Sequence, residues 1–373
     1  MELYSRQDVK IYNALAYIKK EHNNYYKFGE ADCLPNSIIR DINASGTARE
    51  CVDKIQTFTF GGGFADPAVA ALKANPNESY NKILQSFCLN QGYLEAVSFR
   101  VLINNAGEPV RSYFIPSQTL RRWGKNIFQY NPLMGEPGRD RREDRYLQAY
   151  DPAEPPAMRR ERIFEQIRKY GEQLGDVVYM FNPGIGENYD IYAVPKYYSG
   201  IEDIRSDAGI AKLELRNIKK GWRPNVVIST GPMDDVTEDD NGTTQKSRFD
   251  ANIKKFQGEE GASVLHLDGA VNEQKPEVKI LDVADMLDQT DKATDRLGRK
   301  VCRHMGVPPV LCGFATAGQL GNNQEIINTM ALFEISVFKR QEMIREALAY
   351  VWPSMNWEIK RSELWSYLKQ PAQ

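Results

Sequence analysis

The sequence predicts an α+β fold that combines long helices with a small inserted unit of short strands. Three segments carry this prediction: a heptad-like helix over residues 196–220, a βαββ pattern over residues 225–283, and a long apolar helix over residues 323–350. Apolar residues recur with helical spacing in the first and last segments, whereas the middle one has short β-branched runs bounded by turn residues. At 373 residues, the chain is long enough for one large domain or about two to three small ones.

The helix over residues 196–220 has an apolar seam whose spacing alternates between four and three residues. This spacing is typical of a helix that packs along one neighbouring helix, and the segment would be roughly 36 Å long. Gly221 ends the helix and Pro224 prevents it from resuming. An ordinary amphipathic surface helix is the alternative. The seam consists of Tyr197, Ile201, Ile204, Ala208, Ala211, Leu215 and Ile218.

The inserted unit is predicted to contain a strand at 225–229, a short helix at 247–257, and two further strands at 264–267 and 277–283. An acidic loop at 231–244 follows the first strand. Its carboxylates could be imagined as a nuclease-like cluster. A solvated, flexible tip is the simpler interpretation, because the loop also carries glycine and threonine residues.

A second bracketing helix is predicted over residues 290–305, with apolar residues along one edge. It carries a basic stripe that leads directly into Pro308 and Pro309. Basic stripes on helices are usually solvated, but this position before a proline-terminated loop favours a functional role. The stripe consists of Lys292, Arg296, Arg299, Lys300 and Arg303.

The two prolines stop that helix, and three glycines leave the following loop mobile. Asn322 and Glu325 form a capping pair that starts the next helix. That helix, over residues 323–350, is apolar on more than one side and is therefore expected to be mostly buried.

The N-terminal half has weaker patterns. Residues 131–162 carry many arginines interleaved with acidic residues, which predicts a solvated face or an inter-subunit network of ion pairs, with a phosphate-binding patch as the alternative. Residues 22–78 are read as irregular. The predicted elements are helices at 5–21, 79–90 and 156–174, the last with Phe164, Ile167, Tyr170 and Leu174 on one side, and strands at 95–103, 110–115 and 177–181.

Composition excludes several classes of protein. The net charge of −2 shows that the surface as a whole does not attract nucleic acid, so any DNA contact must be local or weak. The five cysteines are scattered and favour a reducing compartment over a disulfide framework. Cys302, His304 and Cys312 offer only three ligands at a spacing that matches no zinc pattern, so neither metal nor cofactor is expected. No apolar run is long enough to span a membrane.

The motifs of common enzymes are missing from the sequence. It contains no Gly-x-x-x-x-Gly-Lys-Ser/Thr phosphate loop, no Gly-x-Ser-x-Gly elbow and no His-Glu-x-x-His. Residues 184–188 resemble half of a dinucleotide-binding loop but lack its third glycine and the helix that should follow. These observations favour a protein that is not an enzyme.

Two stretches then point to a known family. One extends from Tyr192 through Pro224 and includes the seam helix; the other extends from Ile280 through Glu325 and includes Val-Pro-Pro-Val-Leu-Cys-Gly and Asn-Asn-Gln-Glu. Weaker similarity covers 85–101 and 110–116. The chain resembles the portal proteins of tailed bacteriophages and prophages, the head-to-tail connectors of long-tailed phages, over roughly residues 80–350.

The resemblance implies a portal-like fold that forms a ring of about a dozen subunits at one capsid vertex, with double-stranded DNA passing through its centre. The N-terminal part of the wing would be 1–190, and the C-terminal part, with a tunnel helix, would be 324–373. The stem helices would lie in 191–221 and 285–307, the clip in 222–284 and the tunnel loop in 308–323. A C-terminal crown is expected to be absent or minimal.

The resemblance also implies roles for residues and partners. The seam would pack stem helices, the basic stripe would lie on the stem, and the loop would face DNA through Gly313, Thr316, Gly318, Gln319, Gly321, Asn322 and Asn323. The expected partners are other copies of the chain, DNA held without sequence specificity, the terminase large subunit, the major capsid or scaffold protein, and a head-completion adaptor.

No membrane is expected among these partners. The protein is expected in the virion, and in the host cytoplasm during assembly. The alternatives are a DNA-processing enzyme, such as a divergent nuclease or replication protein, and another oligomeric virion adaptor.

Overall fold

The structure is a computed structural model. It describes residues 25–29, 31–124, 126–182, 191–219, 225–229, 244, 246–249, 264–267, 277–281, 284–314 and 323–362. For residues 216–219, 225–229, 264–267, 277–281, 284–289 and 323–325 it describes the backbone only. The predicted N-terminal helix at 5–21 lies outside the described residues.

The described residues form a mixed helix-and-sheet fold, as the sequence predicts. The helices are α1 (Leu34–Ala44), α2 (Gly46–Phe60), α3 (Pro67–Ala71), α4 (Tyr80–Leu94), α5 (Pro156–Tyr170), α6 (Ile201–Lys219), α7 (Ala284–Met305) and α8 (Asn323–Ala349). The strands are β1 (Ala96–Ile103), β2 (Pro109–Phe114), β3 (Leu120–Trp123), β4 (Ile127–Tyr130), β5 (Arg145–Gln148), β6 (Asp176–Phe181), β7 (Asn225–Ser229), β8 (Val264–Leu267) and β9 (Glu277–Leu281).

The strands form three small sheets. In the first, β1 lies between β2 and β6 and is antiparallel to both, so that Phe99 is opposite Phe114 on one side and Val178 on the other. The second is an antiparallel meander of β3, β4 and β5. In the third, β7 is central, parallel to β8 and antiparallel to β9.

The chain divides into two compact units, one formed by residues 1–204 and 299–373 and the other by residues 205–298. The larger unit has its core where α2, α4 and α8 pack together beside the first sheet. Phe87 of α4, Phe99 of β1 and Ile344 of α8 belong to one buried cluster there. A second cluster joins α1 and α2 to the start of α6 and the end of α7.

Serine caps explain where two of these helices begin. The hydroxyl of Ser45 accepts a hydrogen bond from the Ala48 backbone N–H at 3.0 Å, so the same residue that ends α1 starts α2. Ser79 caps α4 in the same way through the Lys82 N–H, at 3.3 Å. Asn104 accepts N–H bonds in the turn between β1 and β2, where Gly107 has a φ of +85°.

The smaller unit contains the predicted strands of the insert, and the three are confirmed as β7, β8 and β9. Residues 246–249 are helical, whereas the rest of the predicted helix at 247–257 lies outside the described residues. The acidic loop at 231–244 lies outside them as well, except for Thr244.

Some predictions for the larger unit are wrong. Residues 22–78 are not irregular, because α1, α2 and α3 lie there. The predicted apolar side of α5 is wrong for two of its four residues: Phe164 and Ile167 are exposed, while Ile163 and Gln166 are buried. Tyr170 is partly buried, and Leu174, which lies beyond the end of the helix, is buried as predicted. The meander of β3, β4 and β5, whose strands are four residues each, was not predicted.

The last long helix differs from its prediction in a different way. Helix α8 begins and ends where the sequence predicts, but it is not mostly buried, because Leu332, Ile335 and Phe338 are exposed. Within the described part of the chain, no helix combines the length and the apolar character that crossing a membrane requires.

Candidate functional site

The start of α6 and the end of α7 meet in the larger unit. Ile201 and Ile204 on α6 are buried in the same cluster as Val301 on α7. Between them, the Asp203 carboxylate lies 2.9 Å from Nε2 of His304 and 3.5 Å from Nζ of Lys300. The two helices are therefore fixed to each other at this junction by apolar packing and by a carboxylate that contacts two basic side chains.

Gly200, immediately before α6, explains how the junction packs so closely. A Cβ atom at this position would lie 2.3 Å from Cγ of the His304 ring, which is far inside van der Waals contact. Only a residue without a side chain fits unless the imidazole moves. The glycine thus serves the packing of the junction.

The end of α7 reverses the chain toward the predicted loop. The N–H of Val307 donates to the carbonyl of Cys302 at 2.9 Å, and Gly306 has a φ of +71°, as in the helix-ending motifs that use glycine. Pro308 and Pro309 follow and lead into a 3₁₀ turn, Pro309–Cys312, which Gly313 ends with a φ of +83°. The sequence predicts that the prolines stop the helix; in the structure α7 has already ended at Met305, Gly306 is its terminating glycine, and the prolines prevent the helix from resuming.

The basic stripe is not a uniform surface. Lys300 contacts Asp203, and the guanidinium of Arg299 lies 5.8 Å from the ring centroid of Phe314. Lys300 and Arg299 are both partly buried. The other members, Lys292, Arg296 and Arg303, are exposed. The stripe therefore combines residues that hold the junction together with residues that face solvent.

The apolar seam of α6 changes character along the helix. Its first residues are buried, whereas Ala211 is exposed and the Leu215 side chain is 53% exposed. The side chain of Ile218 lies outside the described residues. Half of the seam is thus packed within the chain, and the described remainder has an open apolar face. The buried residues are Ile201, Ile204 and Ala208 on α6, and Tyr197 just before it.

The predicted DNA-facing loop is only partly described. Gly313 is exposed, and Asn323 is the first residue of α8. The other predicted residues, Thr316, Gly318, Gln319, Gly321 and Asn322, lie outside the described residues. The structure thus locates the two ends of the loop, and its role stays a prediction.

Helix α8 has an exposed apolar strip that sequence reasoning did not find. Leu332 and Ile335 are each 68% exposed, and Phe338 is 53% exposed. They follow one another at intervals of three residues and so lie on one side of the helix. Exposed contiguous apolar residues of this size typically mark an interaction surface.

A charged contact ties α8 to the segment that leads into α6. Arg340 donates to the carbonyl of Gln91 at 2.7 Å and to the Glu95 carboxylate at 2.8 Å. The same carboxylate accepts the Lys196 backbone N–H at 3.2 Å. Glu95 therefore connects the end of α4, the middle of α8 and the approach to α6. Nothing in the spacing of these residues in the sequence predicts this.

The arginine-rich segment at 131–162 forms ion pairs within the chain. Arg139 pairs with Asp144 at 2.8 Å, and Arg162 contacts both Glu154 and Asp176. Burial raises the pKa of the Asp176 carboxyl, even though the Arg162 guanidinium acts to lower it. These pairings fit a network of ion pairs better than a phosphate-binding patch.

A cleft of about 770 Å³ lies beside the second sheet. Aromatic rings of Tyr25, Trp123 and Tyr146 line it, together with the paired charges of Arg139 and Asp144. Four basic and three acidic side chains line the cleft, so it lacks the concentrated positive charge that a polyanion requires.

Comparisons with known proteins show which solved structures have a similar fold. No protein-family model matches the chain, and no curated protein matches it. Among solved structures, a chain from the neck of an empty gene-transfer-agent particle, computed with C6 symmetry, matches with a TM-score of 0.56 at 11% identity. The match covers 94% of this chain and 89% of that chain.

A chain from the virion of a native gene-transfer-agent particle matches with a TM-score of 0.52 at 11% identity, over 95% of this chain and 89% of that one. A crystal structure of an HK97-family phage portal protein from Corynebacterium diphtheriae gives a TM-score of 0.45 at 10% identity, over 89% of this chain and 98% of that one. The first two matches show that this chain shares the fold of those particle chains over nearly its whole length.

Proposed function

We propose that the chain is the subunit of a portal ring, a structural protein through which double-stranded DNA enters and leaves a phage or phage-like capsid. The fold match over 94% of the chain to a protein from a particle neck carries this proposal. That neck was computed with C6 symmetry, and head-to-tail contacts that close on themselves produce rings of this kind. The location that follows is the virion, after assembly in the host cytoplasm.

The exposed apolar side chains support a ring. Leu332, Ile335 and Phe338 lie on one side of α8, and Leu215 continues the seam of α6 into solvent. Burying apolar area stabilises an assembly by about 25 cal/mol for each Å² removed from water. A neighbouring copy in a ring provides a cover for both surfaces, since each subunit presents the same faces.

In this proposal α6 and α7 are the stem helices, and the unit with β7, β8 and β9 is the clip. Residues 308–323 are the tunnel loop, between the end of α7 and the start of α8. The junction at Asp203, His304 and Lys300 supports this assignment, because it holds the ends of the two stem helices together. The remainder of the chain forms the wing, with α8 as its tunnel helix.

A conduit must hold DNA weakly, and the charges of the chain are suited to that. Each neutralised phosphate adds salt-dependent affinity, so a channel densely lined with free Lys and Arg would slow the passage of DNA. Here Lys300 contacts Asp203, Arg299 lies over Phe314, and the whole chain has a net charge of −2. Contacts between basic side chains and phosphates act on the DNA backbone and do not read the base sequence.

The partners follow from the same proposal. The clip would dock the terminase large subunit during packaging and a head-completion adaptor afterwards, and the wing would contact the major capsid or scaffold protein. A DNA-processing enzyme is the rival from another class. Measurable ATP or nuclease turnover by the purified chain would favour that rival.

Deleting residues 314–321 tests the conduit role, with two readouts. Negative-stain microscopy should show rings for both the wild type and the deletion, because the ring contacts proposed above lie elsewhere. Packaging or retention of DNA in particles should be strongly reduced by the deletion, because it removes the segment proposed to face the duplex.

Two outcomes of this experiment count against the proposal. Normal packaging by the deletion would exclude the tunnel role of the loop. A wild-type chain that stays monomeric under all assembly conditions would exclude the ring itself.

A further inference from the structure

Three cysteines from distant parts of the chain meet in the larger unit. Cys51 lies on α2, Cys302 on α7, and Cys312 in the 3₁₀ turn that precedes Gly313. The Sγ atom of Cys51 lies 3.8 Å from that of Cys302 and 3.7 Å from that of Cys312. All three sulfur atoms are within 4.8 Å of one another.

These separations suit a thiolate-bound metal ion. With Zn–S bonds of about 2.3 Å, neighbouring sulfurs of a tetrahedral site lie about 3.8 Å apart. The two short separations have this value without any movement of the backbone. Three protein ligands leave a fourth position for a water molecule.

The three cysteines differ in how deeply they are buried. Cys51 and Cys302 are fully buried within an apolar cluster that includes Ile55 and Met305. Cys312 is only partly buried, so an ion can approach from its side. The apolar surround of the two buried thiols limits the access of water and chelators to them, and the fourth coordination position lies on the open side.

We propose that Cys51, Cys302 and Cys312 bind a thiophilic metal ion, Zn²⁺, as a structural clamp. The ion joins α2, the end of α7 and the turn that leads into residues 315–322. His304 is not a ligand in this site, because its Nε2 atom contacts Asp203. Binding does not depend on the portal role; only the consequence that the clamp fixes the root of the tunnel loop rests on the proposed function.

The sequence expectation of no metal considered Cys302, His304 and Cys312 without Cys51. Cys51 is 251 residues away from Cys302, so the sequence contains no spacing that connects them. The fold replaces the histidine of that set with a third sulfur. Soft sulfur donors favour Zn²⁺ over the hard cations Mg²⁺ and Ca²⁺.

The test is the metal content and cobalt spectrum of the full-length chain. Protein purified without chelator from zinc-supplemented cells should contain about one zinc ion per chain by mass spectrometry of the elements. Replacing zinc with Co²⁺ should produce the sulfur-to-cobalt charge-transfer and visible bands of a thiolate site. Removing the metal with a chelator should lower the melting temperature, and adding Zn²⁺ back should restore it.

Two variants make the test specific. Loss of a residue that only hydrogen-bonds to a metal ligand typically lowers metal affinity about 10–100-fold. Cys312→Ala removes a ligand itself, so it should lower the affinity for Co²⁺ by at least about 100-fold. Cys88→Ala is the matched control, because Cys88 is a buried thiol on α4 that belongs to the other core cluster. It should keep both zinc and the cobalt bands. Circular dichroism checks that each variant is folded.

Three results would overturn the proposal. The first is wild-type protein without zinc and without cobalt bands, which would show that the thiols only pack together. The second is protein purified without chelator that contains no zinc and has a Cys51–Cys302 or Cys51–Cys312 disulfide, found by peptide mass spectrometry. The third is zinc that persists in Cys312→Ala, which would place the ion elsewhere in the chain.

Discussion

The two halves of α8 have similar apolar content and opposite surroundings. After Arg340, the helix buries Met343, Ile344 and Leu348 in the core beside the first sheet. Before Arg340, it exposes Leu332, Ile335 and Phe338 on one side, although Phe333 and Val337 are buried on the other. One helix of 27 residues therefore completes the core of its own chain at one end and has an open apolar side at the other.

The difference indicates what each half is for. A helix that is apolar on several sides is stable in water only if each side is covered. The chain buries Met343, Ile344 and Leu348 in the C-terminal half, where exposed Glu346 faces solvent, and covers the N-terminal half on one side only. The remaining side is suited to another copy of the chain, which is the contact that the ring proposed above requires.

The largest expected effect of a mutation is in the C-terminal half. Ile344→Ala should lower the free energy of unfolding by about 2–5 kcal/mol, because it leaves a cavity in a fully buried cluster. Trp352 and Trp357 pack in or against the same cluster, so urea denaturation followed by tryptophan fluorescence reports on this region.

Leu332→Ala is the matched control for this change, since it removes a comparable side chain from an exposed position of the same helix. It should change the free energy of unfolding of the dissociated chain by no more than about 0.5 kcal/mol. Equal losses at both positions would contradict the difference between the two halves.

The second prediction concerns the exposed half. Ile335→Asp should leave the melting temperature of the dissociated chain nearly unchanged, because the position is solvent-accessible there. It should strongly reduce the fraction of rings in native mass spectrometry, because a carboxylate buried without a partner in the contact is unfavourable.

Met158→Asp on α5 is the control for Ile335→Asp, because it makes the same kind of change at another exposed apolar position. Rings should persist in that variant. Rings of normal abundance with Ile335→Asp would show that this side of α8 faces solvent in the assembly.

The long helices could be predicted from the sequence because local signals define them. In α6 and α7 the apolar spacing persists over several turns, and Pro308 and Pro309 mark where α7 has ended. The strands of the insert are flanked by turn residues, so β7, β8 and β9 could also be predicted. These elements depend on their own residues more than on distant ones.

The rest required the three-dimensional structure. Helices α1 and α2 were missed because Pro35 and Asn36 are in a segment rich in turn formers; the Ser45 cap and the spacing of Ile38 and Ile42 are the signals that could have revealed them. The exposed side of α8 depends on which neighbour covers it. The cysteine cluster brings residues together across the whole chain, and periodicity contains no information about such distant contacts.

A smaller loss of stability than that of Ile344→Ala is expected at Arg340, where the two halves of α8 meet. Its guanidinium contacts the Gln91 carbonyl and the Glu95 carboxylate at once, which the single ammonium group of lysine cannot reproduce in the same geometry. Arg340→Lys should lower the free energy of unfolding by about 1 kcal/mol, within the range for a partly exposed charged contact.

A double-mutant cycle with Glu95→Gln isolates the contact between the two side chains. If Arg340 anchors α8 through Glu95, the cost of Arg340→Lys should shrink by roughly half in the Glu95→Gln background, because the bond to the Gln91 carbonyl remains. An unchanged cost would assign the stabilisation to the Gln91 carbonyl alone. In that case Glu95, which also accepts the Lys196 N–H, would position the approach to α6 without restraining α8.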